Sequence, residues 1–146
     1  MATLSELQEE WKIDCNIDGN HLDDASLRTP HLHAKYISYL TETRLKLSKT
    51  KSDYNKLRKL KFRYYRGELS KEECVELNWR QYQGCKPLKT EMNELLNGDD
   101  HITEMDLKIE YLGTMIALLE SILWSIKDRT WSIRSAVDYK KFSAGG

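Results

Sequence analysis

Apolar residues recur along the last third of the chain at alternating steps of four and three: Met105, Ile109, Leu112, Ile116, Leu119, Leu123, Ile126, Thr130, Ile133 and Val137. Only Thr130 interrupts this heptad seam, which predicts one continuous helix of about 50 Å at roughly 1.5 Å per residue. A second stripe, Tyr111, Met115, Leu118 and Ile122, runs beside the first. Two arrangements bury both stripes. The helix lies across a monomeric bundle, or copies of the chain share it. The remainder of so small a chain offers too little apolar surface for the first. The pattern therefore favours assembly through Ile109, Leu112, Ile116, Leu119, Leu123, Ile126 and Ile133.

Upstream, the pattern is helical as well. Ser5-Glu6-Leu7-Gln8 reads as a capping box opening a helix with Leu4, Leu7 and Trp11 on one face, ended by Asp18-Gly19-Asn20. Thr29-Pro30 reads as the next start, threonine at the N-cap and proline at the first helical position. No breaker follows until Gly67. Ile37, Leu40, Leu47, Tyr54, Leu57 and Tyr64 mark its buried side, with Arg44, Lys51 and Lys61 near the same line. Ser70-Lys71-Glu72-Glu73 is a second capping box, for a helix carrying Val75, Trp79 and Tyr82 and stopped by Gly84. Pro87 restarts a short helix with Leu88, Met92, Leu95 and Leu96. After the loop Asn97-Gly98-Asp99-Asp100, Thr103-x-x-Asp106 caps the long helix, which ends near Phe142. No stretch alternates as a strand does. The fold class is all-α: a helical N-terminal domain over residues 1–100, and a C-terminal oligomerisation helix over residues 101–146.

Composition agrees, with 40% hydrophobic and 32% charged residues and only two prolines. Net charge is zero, but its distribution is uneven. Residues 44–66 hold ten bases and one acid, a local +9, and the rest carries −9. Residues 1–28 are acidic, seven acids against two bases, and suit either packing as a solvated helix or docking on a basic partner. Three cysteines without a CxxC pair suggest a reduced intracellular setting. The apolar run over residues 111–126 is broken by Glu120 and reads as too short to cross a bilayer. The expectation is a chain without a membrane partner.

Catalytic constellations are missing from the sequence. The glycines form no phosphate cradle, so no nucleotide cofactor is expected. His31 and His33 lie about 200° apart on a helix (two steps of roughly 100°) and cannot share a metal, so no metal site is expected either. What remains is Lys56-Leu57-Arg58-Lys59-Leu60-Lys61-Phe62-Arg63-Tyr64-Tyr65-Arg66, where cations interleave with aromatics. Cations neutralise phosphates and release counterions, while aromatic faces stack unpaired bases at roughly 1–3 kcal/mol each. Lys49, Ser52, Lys56, Lys59, Arg63 and Arg66 share one helix side, where like charges repel until a polyanion neutralises them. Candidate nucleic-acid contacts are Lys56, Arg58, Lys59, Lys61, Arg63, Tyr65 and Arg66, with Tyr65 the expected base-stacking ring. The alternative is a structural helical oligomer whose basic helix binds an acidic protein.

These segments together resemble the UvsY family, the recombination mediators of T4-like bacteriophages. The resemblance rests on Leu4-x-x-Leu7-Gln8-Glu9-Glu10, Asp14 and Ile17-Asp18 at the N-terminus. It continues in Lys59-Leu60-Lys61-Phe62 with Tyr64-Tyr65-x-Gly67, which matches the family's Lys-Ala-Arg-Leu motif and downstream Tyr-Tyr. Ile126-Lys127-x-Arg129, Ile133-Arg134, Asp138 and Phe142-x-Ala144-Gly145 complete it. It implies a non-enzymatic accessory protein, a ring-like homo-oligomer (hexamer or heptamer) acting in the cytoplasm of the infected bacterial host. It further implies that the protein binds single-stranded DNA, helps displace the phage single-strand-binding protein and loads the UvsX recombinase. The family's DNA-binding pair falls on Lys59 and Lys61. Lys61 replaces the family's arginine, so charge is kept while bidentate phosphate contact is lost.

Overall fold

The structure, a computed structural model, describes residues 1–145. Five helices follow in order: α1 (Leu4–Asp14), α2 (Leu22–Tyr65), α3 (Lys71–Glu76), α4 (Lys89–Asn97) and α5 (Asp100–Ser143). No strand occurs among the described residues, so the all-α expectation holds. Two compact units emerge. One joins Met1–Leu45 with Gly113–Gly146, and the other is Lys46–Leu112. The boundaries between these units fall inside α2 and α5.

In the first unit, α1 is capped two residues earlier than its sequence suggests. Thr3, not Ser5, accepts the Glu6 amide at 3.2 Å, and Glu6 returns to the Thr3 amide at 2.8 Å. Leu7, 1% exposed, and Asp14 lie on the inner face of the helix this box opens. Thr29-Pro30 does not start α2, which begins at Leu22 and carries Pro30 internally. Proline removes one i→i−4 bond, but tertiary contacts hold the first two turns. Ala25 is buried, and its carbonyl accepts from the Thr29 hydroxyl at 3.2 Å and the Arg129 guanidinium at 3.3 Å. Asp23 and Asp24 favour the positive end of the helix.

The inner line of α2 is Ala25, Leu32, Tyr36, Leu40 and Thr43; that of α5 in this unit is Met115, Leu119, Ile122, Ile126, Arg129 and Ile133. The α5 line takes alternate positions from each predicted stripe: Leu119, Ile126 and Ile133 from one, Met115 and Ile122 from the other. Alternate positions of the predicted seam thus close the core of this unit. Ile116 and Leu123 sit half-buried beside it, and Trp124 and Trp131 are exposed. An 18-residue stretch of α5 has a mean hydropathy of 1.4 and no more than two charged residues, apolar enough by length and composition to cross a membrane. This corrects the expectation drawn from Glu120. One glutamate in such a window leaves the average high.

The second unit is built on Met92, Leu96 and Ile102, with Tyr54, Leu57 and Tyr65 packed against them. Gly67 ends α2 with φ at 70°, where the Glu68 amide reaches back to the Arg63 carbonyl at 3.0 Å; that left-handed turn favours glycine. Ser70 and Glu73 form the predicted capping box. The helix stops at Glu76 rather than at Gly84, because Asn78 adopts φ 59° and the Trp79 amide bonds back to Cys74. α4 follows Pro87 as expected. Asp99, not Thr103, caps α5: its carboxylate accepts the Ile102 amide at 3.1 Å. Thr103 donates its own amide to the Asp99 carbonyl and so lies within the first turn.

Candidate nucleic-acid interface

From Lys46 to Tyr65, α2 holds no glycine or proline and many lysines, arginines and leucines, all good helix formers. Three- and four-residue steps therefore become one physical face. Lys49, Ser52, Lys56, Lys59 and Arg66 are exposed, and Arg63 is half-buried. Lys56, Lys59, Leu60 and Arg63 line a shallow depression of about 260 Å³. Arg63 lies 3.4 Å from Glu73 and Arg66 lies 3.0 Å from Glu68, each pair about 40% exposed. Exposed pairs of this kind are worth about 0–1 kcal/mol, so a phosphate can displace either acid. Arg58 is half-buried and donates to the Tyr54 hydroxyl at 3.5 Å.

Lys59 and Lys61 have opposite surroundings. Lys59 stands in solvent on the cationic face. Lys61 is 4% exposed, with its ammonium 3.1 Å from the Asp99 carboxylate and 4.0 Å from the centre of the Trp79 ring. Tyr64 flanks the same ammonium at 5.2 Å. A lysine so enclosed meets no phosphate in this conformation. Tyr65 is also engaged inward. Its hydroxyl donates to Asp99 at 2.7 Å and its ring packs on the Met92 core. Burial and the bond to Asp99 push the Tyr65 hydroxyl well above its usual range. For Asp99, burial works to raise the carboxyl, but bonds from Tyr65, the Ile102 amide and Lys61 hold it below the usual range.

The residue of this segment whose ring is open is Phe62, 40% exposed, with the Arg66 guanidinium 5.5 Å over it. Its position between Lys59 and Arg66 on the helix was the available signal. Asp99 and Trp79 were the residues that sequence reasoning missed. Both act from loops, where periodicity carries no information. Among the predicted assembly residues, Leu112, Leu119, Ile126 and Ile133 are buried within the chain, while Ile109, Ile116 and Leu123 are half-buried. No group of three or more potential metal ligands occurs among the described residues.

A chain of helices presenting a cationic stripe beside an open aromatic defines a class: helical proteins that engage nucleic acid through backbone charge. Residues 10–146 match the family described as recombination, repair and ssDNA binding protein UvsY, and the chain belongs to that family. It is 25% identical to the recombination protein uvsY of Enterobacteria phage T4, over 97% of this chain and 98% of that one. Crystal structures of the bacteriophage T4 recombination mediator protein UvsY share the fold. One lattice form superposes with a TM-score of 0.84 at 23% identity over 99% of both chains. A second gives 0.81 at 21% identity, covering 97% of this chain and 99% of that one. The resemblance carried by the scattered motifs is borne out.

Proposed function

We propose that this protein is a recombination mediator: it binds single-stranded DNA, helps displace the phage single-strand-binding protein and loads a UvsX-type recombinase. The observation that carries this reading is the cationic stripe Lys49, Lys56, Lys59, Arg63 and Arg66 on one face of α2 in a member of the UvsY family. Such a stripe is self-repelling until phosphates neutralise it, and counterion release then drives binding. Lys56, Arg58, Lys59, Arg63 and Arg66 contact the strand. Lys61 and Tyr65 act through Asp99, fixing the end of α2 from within.

Assembly supplies the rest of the mechanism. A ring-like homo-oligomer, a hexamer or heptamer, repeats the stripe once per subunit, so weak contacts add while each stays exchangeable. A strand bent over several stripes is a poorer substrate for the single-strand-binding protein and is presented to the recombinase. The surface that supports assembly is the open flank of α5. Trp124 is 67% and Trp131 65% exposed, and Trp124 borders a groove of about 490 Å³ floored by Leu123 and Ile126 and walled by Pro30 and His33. Only 28% of the most apolar stretch of α5 is buried within one chain, which leaves apolar surface for a second copy. The setting is the cytoplasm of the infected bacterial host.

Native mass measurement with and without an oligonucleotide tests both halves. The expected result is one closed oligomer that binds single-stranded DNA in preference to duplex. A monomer at micromolar concentration removes the ring. Equal competition by an acidic protein and by single-stranded DNA replaces the mediator with an acidic-partner scaffold.

A further inference from the structure

Phe62 and Arg66 lie four residues apart at the end of α2 and so share a face. Across from them the chain returns through Lys86, Pro87, Leu88 and Lys89 into α4. These walls enclose an open groove of about 650 Å³ with the buried Met92 in its lining. That size lies within the roughly 300–1,000 Å³ of small-molecule clefts. Its chemistry is divided. Phe62 and Leu88, 40% and 67% exposed, supply apolar surface, while Arg66, Lys86 and Lys89 supply charge at the edge.

Two local features are poor choices for stability alone. Leu88 occupies the N-cap of α4, where it offers no side-chain oxygen to the first-turn amides; serine, threonine or aspartate is the stabilising choice there. Leu88 also leaves most of its surface in water. An exposed leucine and an exposed phenylalanine facing one groove, ringed by cations, call for an occupant with a flat apolar face and negative charge beside it. The nearby acids do not oppose this. Glu91 is tied to the Leu88 amide at 3.2 Å, and Glu68 pairs with the Arg66 Nε at 3.0 Å in an exposed ion pair that a phosphate can displace.

We propose that this groove seats one base of a bound DNA single strand, with Phe62 as the stacking platform and Lys86, Lys89 and Arg66 holding the flanking phosphates. The inference rests on the single-strand reading above and names the place where a base, rather than the backbone, is held. Continuity supports it: Lys59, Arg63 and Arg66 step by three and four along α2, so a backbone tracking the stripe arrives at Phe62. Duplex is excluded by the same geometry, because paired bases are already stacked and cannot turn into the groove. The contact carries no sequence code, since every base offers a π-face.

The experiment compares an oligothymidylate with an abasic oligomer of equal length, titrated against wild type, Phe62→Leu and the double variant K86Q/K89Q. Wild type is expected to prefer the base-bearing strand. Phe62→Leu keeps apolar bulk and should lose roughly tenfold on oligothymidylate, with no change on the abasic strand. K86Q/K89Q should weaken both strands equally. A strand carrying 5-iododeoxyuridine should photocrosslink to Phe62 in the wild-type protein, a readout that needs no variant to fold. Equal wild-type affinity for the two strands, or a crosslink confined to other residues, overturns the base groove while leaving single-strand binding intact. If neither strand binds, the wider reading fails with it.

Discussion

Asp14 in the first unit and Asp99 in the second are both almost fully buried, and both accept bonds from a lysine and a tyrosine of α2. Asp14 receives Lys35 at 2.6 Å, Tyr36 at 2.9 Å and Arg28 at 2.9 Å. Asp99 receives Lys61 at 3.1 Å, Tyr65 at 2.7 Å and the Ile102 amide at 3.1 Å. The carboxylates are alike and their cations are not. The side chains of Arg28 and Lys35 are 50% and 34% exposed, whereas that of Lys61 is 5% exposed. The first site is a surface clasp whose cations can return to water. In the second, the lysine has nowhere else to go. One device therefore serves as an adjustable tie for α1 and as a fixed pin where α2 meets the start of α5.

The sharpest way to break the comparison is to remove each carboxylate. Asp99→Ala strands a buried ammonium and should cost about 3–5 kcal/mol. Asp14→Ala frees two cations that can hydrate and should cost about 1.5–3 kcal/mol. Urea unfolding followed by circular dichroism reads both, and equal losses would abolish the distinction. Acid offers a gentler test. Against the opposing effect of burial, bonds from Lys35 and Tyr36 hold Asp14 below the usual carboxylate range, and Asp99 is likewise depressed. A carboxyl with a depressed folded pKa contributes stability that is complete above its unfolded value, about 3.9. That stability is lost as pH falls through the folded value. Stability should therefore decline below about pH 4, and Asp14→Asn should flatten part of that acid limb. An unchanged limb would place the titration elsewhere.

Smaller effects separate structure from binding. Tyr65→Phe removes one hydroxyl from Asp99 and should cost about 1–2 kcal/mol, with single-strand affinity unchanged at a temperature where the variant is folded. A selective loss of affinity would return Tyr65 to the DNA surface. Lys59→Ala should have the smallest effect on stability, within about 0.5 kcal/mol. Its signature is instead a salt dependence flattened by about 0.7 in log–log slope. A full slope after that change would remove Lys59 from the strand's path.

Much of this was legible in the residues. Periodicity located the long helices, and the three- and four-residue steps of Lys49, Lys56, Lys59, Arg63 and Arg66 placed them on one face. The same periodicity set Lys61 near the Leu57–Tyr64 line. A charge on an apolar line demands a buried partner. The partner lay in the Asn97-Gly98-Asp99-Asp100 loop, which no local pattern connects to α2. Caps failed for a related reason. Thr29-Pro30 is a sound local start signal, overridden because Ala25 is buried and its carbonyl is claimed by Arg129 from a helix distant in sequence. The α5 pattern displayed two stripes without saying which positions one chain would use. Selecting Leu119, Ile126 and Ile133 from one stripe and Met115 and Ile122 from the other depends on the shape of α2, which periodicity does not encode.

The enclosure of Lys61 has a consequence for chemical reactivity. Lys59 and Lys61 are the same nucleophile two residues apart, yet one amine is open to reagents and the other is roofed by Trp79 and neutralised by Asp99. Amine acylation of the native protein marks Lys59 promptly, whereas Lys61 is marked only when the second unit opens. The ratio of the two adducts on a single peptide thus becomes an internal clock for local unfolding, with Lys59 supplying its own reference.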